Sequence, residues 1–104
     1  MDDIQNEIFE SYRDEVMGLL DEIKVGDEGE HLWDSYQKVI AVIFRLGEMH
    51  NEIADMEITG RDWPEIKKFR TLIIDPTIDR LEKVAAFESR KITARGMEKD
   101  LERY

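Results

Sequence analysis

At 104 residues, with 41% apolar and 38% charged side chains, the chain is one domain with a modest core and too much hydrophobicity to stay disordered. Its net charge of −10 repels phosphate backbones and anionic membranes, which argues against nucleic-acid or membrane binding through a basic face. With no cysteine, it can form no disulfide, thiolate nucleophile or cysteine-ligated metal site.

The first predicted helix runs from about Asp3 to Lys24. Phe9, Tyr12, Val16, Leu19 and Ile23 recur at alternating spacings of three and four, and Ile8 and Leu20 widen the stripe. Charge is concentrated here. Residues 1–30 carry 11 acidic and 2 basic side chains, whereas residues 90–104 carry 3 and 5. An acidic helix is a solvated face first, and a docking face for a basic protein partner second. A turn is expected at Gly26-Asp27-Glu28-Gly29-Glu30, with Gly26 as a helix C-cap.

The second predicted helix spans His31 to Ile58. Leu32, Tyr36, Val39, Ile40, Ile43, Leu46 and Ile53 form one long apolar stripe, with His50 the polar residue centred on it. Val42, Met49 and Met56 flank that stripe and widen it. Thr59-Gly60 ends the helix, with Gly60 placed as a C-cap.

Asp62-Trp63-Pro64-Glu65 signals the next start, with Asp62 as an acidic N-cap and proline in the first turn. Ile66, Phe69 and Ile73 mark one face. After Pro76 the apolar positions are Ile78, Leu81, Ala85 and Ile92, joined by Ile74, and the face rotates by about 100°. Proline lacks the backbone N–H and clashes with the preceding turn, so a sharp kink or break is expected there. A last helix then runs from about Pro76 to Ala94. Arg95-Gly96 weakens helix formation at its end, and residues 95–104 form a tail that is weakly helical or packed on a partner.

The predicted fold is therefore all-α: an antiparallel helical bundle of three to four helices with a proline break near Pro76. Residues 1–94 make one helical domain. No apolar run approaches the roughly 18 residues of a membrane span. Met1-Asp2-Asp3 lacks the apolar core of a signal peptide, so a cytoplasmic location is expected.

Three patterns invite chemistry. Glu7-x-x-Glu10 and Glu52-x-x-Asp55 resemble the acidic helix motifs of the all-α NTP pyrophosphohydrolases, which implies magnesium bound by carboxylates. On the predicted stripe these four acids lie about 140–150° from the apolar face, pointing outward rather than into a bundle site. Arg45-x-x-x-x-His50 resembles the R-x4–6-H motif of HEPN ribonuclease domains, which implies RNA cleavage at a dimer cleft. Those two residues stand about 140° apart on an ideal helix, and Glu52 occupies the place where that family often has tyrosine. Glu28-x-x-His31 has the spacing of a ferritin-like ligand pair but straddles the predicted turn.

No catalytic, cofactor or metal residue is assigned. The reading is a small acidic, non-enzymatic protein–protein interaction, assembly or regulatory module. The alternative is a divergent magnesium-dependent pyrophosphohydrolase-like or HEPN-like enzyme. The breadth of the second helix predicts a homodimer, with Val42, Met49 and Met56 as interface positions. His50 is an interface or pH-sensitive position, because an imidazole that charges within an apolar face weakens packing.

Overall fold

A computed structural model describes residues 3–23, 32–61 and 63–102, and side chains for 3–23, 33–61 and 63–96. The described chain is helical, with no strand: α1 (Asp3–Asp21), α2 (Leu32–Ile58), α3 (Pro64–Phe69), a π turn (Arg70–Ile74) and α4 (Asp75–Glu102). The expected Gly26 cap, His31 and the Asp62 cap lie outside the described residues.

α1 buries the predicted seam. Val16 is buried, and Phe9, Tyr12, Leu19 and Ile23 pack against the core beside it. α2 ends as its glycine dictates. Gly60 has φ 91, its N–H bonds the Glu57 carbonyl at 3.3 Å, and the Arg61 N–H bonds the Met56 carbonyl at 2.7 Å. That pair of bonds closes a Schellman motif, and glycine adopts this backbone without a Cβ penalty. Ahead of α3, Trp63 occupies the N-cap position with Pro64 behind it, and no side chain caps the helix.

The phase of α2 differs from the predicted stripe. Its buried residues are Ser35, Val39, Val42, Leu46, Met49 and Ile53. These again alternate by four and three. The centre of the face is thus rotated towards Val42 and Met49. Both are enclosed in the core of the single chain, where they are unavailable as surface contacts. Ile40, expected in the stripe, is exposed. The reason lies in the neighbours: α2 packs against α1 on one side and α4 on the other, and the line midway between them is what becomes dry.

Pro76 is met by a π turn in place of a break. The Asp75 N–H bonds the Arg70 carbonyl, five residues back, where an α-helix would reach four. One extra residue enters the turn. Phe69 and Ile74 are therefore both buried, and Ile73, predicted to face inward, is half-exposed. The inserted residue accounts for the rotation of the apolar face seen in the sequence. Beyond it, Leu81, Ala85 and Glu88 continue the buried face.

α4 runs through Arg95-Gly96 to Glu102 without interruption. A single glycine costs about 1 kcal/mol, too little to end a helix already propagating. The molecule extends 65 × 23 × 15 Å with a radius of gyration of 17.8 Å. A compact chain of this length would have about 13 Å. The helices form a thin, elongated body with much of its side-chain surface facing outward.

Candidate functional site

Two surfaces of α2 concentrate the unusual features. The first faces α1. The Arg45 guanidinium donates two parallel hydrogen bonds to the Glu15 carboxylate, Nη2 to Oε1 at 2.9 Å and Nε to Oε2. Its Nη1 donates to Glu52 Oε1 at 3.1 Å. The Tyr12 hydroxyl donates to Glu52 Oε2 at 2.8 Å. One arginine thus holds two carboxylates, and a phenol closes the set.

The electrostatics follow from these bonds. The hydrogen bonds from Arg45 hold the Glu15 carboxyl below the usual range. The bonds to Glu15 hold the Arg45 proton more firmly than usual. Burial pushes the Tyr12 hydroxyl well above its ordinary value, and its bond to Glu52 adds to that. Each of these three groups is locked in the protonation state it already has at neutral pH.

A groove of about 390 Å³ runs beside this set, lined by Glu7, Ser11, Tyr12, Arg45, Glu52 and Met56 among others. It brings Glu7 and Glu52 to one place, although sequence phase turned both outward. Glu52 reaches α1 because the dry face of α2 is rotated away from the predicted stripe. Glu10 and Asp55 do not line the groove. With Arg45 clamped between them, the Glu15 and Glu52 carboxylates share a cation already in place. Among the described residues, no three acidic or imidazole side chains are grouped closely enough to hold a metal ion.

Arg45 and His50 leave α2 on different sides. Arg45 turns to α1, while His50 Nδ1 lies 2.7 Å from Asp75 Oδ1 at the start of α4. The pair therefore does not converge as a ribonuclease motif would require. His50 sits at the edge of the dry face, part-exposed. Any charge it takes on falls beside a carboxylate instead of inside the apolar packing. A second ion pair, Glu57 Oε1 to Arg70 Nη1 at 2.9 Å, ties the end of α2 to the π turn. Its groups meet as charges without hydrogen-bond alignment, and Arg70 Nε has no acceptor. On α4, Glu88 is buried with Oε1 unbonded.

The second surface is the outer face of α2. Trp33 is 53% exposed, Phe44 71% and Ile58 82%, with Ile40 between them at 42%. They lie roughly 160° round the helix from the buried set. Reading α2 as one broad stripe hides them. The signal was the same three–four spacing, present a second time on the opposite side. Met56, expected at an interface, is half-buried beside the groove. A shallow apolar depression of about 330 Å³ on α3 and the π turn, around Pro64 and Leu72, is a further exposed apolar site.

No described helix is long and apolar enough to cross a membrane. Compared with known proteins, the chain matches no family model, no curated protein and no solved structure.

Proposed function

We propose that this chain is a non-enzymatic protein–protein interaction module, an acidic antiparallel helical bundle that acts as a homodimer. The observation that carries this reading is the outer face of α2. Trp33, Ile40, Phe44 and Ile58 are large, apolar and uncovered along one helix. Large apolar side chains left exposed in a row along one helix favour an interaction site. The thin, extended shape supports it, since a second layer of helices would complete the packing.

The pairs Glu15–Arg45 and Tyr12–Glu52 support the antiparallel arrangement, because numbering falls along α1 as it rises along α2. Within the α1–α2 groove Tyr12, Glu15, Arg45 and Glu52 bond one another, which favours a structural role for these four over catalysis. The exposed acids of α1, Glu7, Glu10 and Asp14, are the charge a basic protein partner would meet.

Sedimentation velocity at micromolar concentration tests the reading. The expected result is a dimer that Phe44→Glu converts to a folded monomer. A wild-type chain that sediments as monomer alone overturns it.

A further inference from the structure

The outer face of α2 has a feature beyond its apolarity: it is complementary to itself. Its large residues are Trp33, Ile40, Phe44 and Ile58. The positions between them at the same three–four spacing are Gln37, Gly47, Asn51 and Ala54. This seam runs the whole of α2, about 40 Å. None of these eight positions is charged in a chain that is 38% charged, and the exposed Asp55 marks the edge of the seam on the line of Gln37. An uncharged seam is what two copies of a −10 chain need in order to meet.

Gly47 sits near the centre of the seam. Glycine in the middle of a helix weakens it relative to alanine. Yet a Cβ built on Gly47 meets nothing within 4 Å. The same holds for Gly18 in α1 and Gly96 in α4, and of the three only Gly47 lies on this seam. On this seam a missing side chain lets a second helix approach closely.

We propose that α2 pairs with α2 of a second copy, antiparallel, about a twofold axis between Phe44 and Gly47. The proposal rests on the homodimer reading above and specifies its geometry. In this register Phe44 lies over Gly47 of the second copy, and Ile40 over Asn51. Gln37 meets Ala54, and Trp33 meets Ile58. Large residues meet smaller ones at the two central levels, as interdigitated helix packing requires. A parallel pair would set Phe44 on Phe44 and Gly47 on Gly47, a clash beside a void. The twofold arrangement is isologous and closes on itself, so assembly stops at two.

The absence of native cysteine makes the test direct. Ile40→Cys and Asn51→Cys chains are prepared separately, then mixed, allowed to exchange and treated with a short bis-maleimide. The expected product is a covalent dimer holding one chain of each kind. Either variant alone should give little, because like positions at Ile40 lie about 16 Å apart along the axis. Gly47→Leu provides a second measurement. It should weaken the dimer by at least about tenfold while the monomer melts at the same temperature or higher. Cross-linking within single variants but not in the mixture overturns the antiparallel register. A wild-type dimer unaffected by Gly47→Leu, or a dimer with no cross-link at all, overturns this face. Both results leave the homodimer reading standing, whereas a wild type that is monomeric removes both.

Discussion

Phe69 and Ile74 stand five residues apart in sequence and one turn apart in space, both facing the same core. The π turn between them makes this possible. It gives the helix one residue more than an α turn holds, immediately before Pro76. The ring of Pro76 would otherwise press on the carbonyl four residues back. Deleting Leu72 alone should restore the α spacing between core positions but bring that clash, at a cost of up to about 3 kcal/mol. Deleting Leu72 together with Pro76→Ala should be far milder. Deleting Lys83 instead, inside α4, shifts Ala85 and everything after it off the core face. Urea unfolding of the three variants checks this ordering, and equal losses would reject it.

Acid should loosen the α1–α2 contact. Arg45 holds the Glu15 carboxyl below its ordinary value of 4.5. A carboxylate so lowered contributes stability that is complete above the unfolded value and is lost as pH falls through the folded one. The loss therefore sets in below about pH 4.5 and grows downward. Because both side chains are part-exposed, solvent screening limits the effect to about 1 kcal/mol. Glu15→Gln should flatten this part of the acid limb. Identical pH profiles of wild type and variant would count against the pairing.

Met49 and Phe44 separate core from surface. Met49 is fully buried, so Met49→Ala should cost about 2–5 kcal/mol at any protein concentration. Phe44 is mostly exposed in the chain, so Phe44→Ser should change monomer stability by no more than about 0.5 kcal/mol. On the proposed dimer its effect belongs to concentrations at which copies would associate. Chemical unfolding across a dilution series distinguishes the two.

Glu88, on the buried face of α4, is a position where chemistry and place disagree. Its carboxylate is buried and Oε1 accepts nothing. Glu88→Met replaces it with an apolar side chain of similar length. The variant should be more stable by about 1 kcal/mol, measured by thermal unfolding. A loss of stability would mean that the carboxylate has a role in the folded chain.

The His50–Asp75 bond joins the middle of α2 to the start of α4. Each side chain is part-exposed, so a double-mutant cycle through His50→Ala and Asp75→Ala should give a coupling of about 0.5 kcal/mol. A coupling of zero would reject the bond.

Much of the fold was legible in the chain. The seam of α1, the glycine stop after Ile58 and the start at Pro64 were all readable from local chemistry. Even the π turn left a trace, as a rotation of the apolar face beside a proline. The candidate surface was not legible. Val39, Ile40, Ile43 and Phe44 put apolar groups almost all round the middle of α2. Periodicity alone merges two faces into one broad stripe when both are apolar.

The sequence by itself determined that this protein is helical, acidic and free of cysteine chemistry, because these depend on residue type, spacing and caps within one helix. Only the tertiary structure decided which side of α2 is dry. α1 and α4 cover the line through Val42 and Met49 and leave Ile40 and Phe44 outside. That choice depends on where neighbouring helices lie, and burial is shared between elements. The same packing turned Glu52 towards Arg45 and Tyr12, and set His50 beside Asp75.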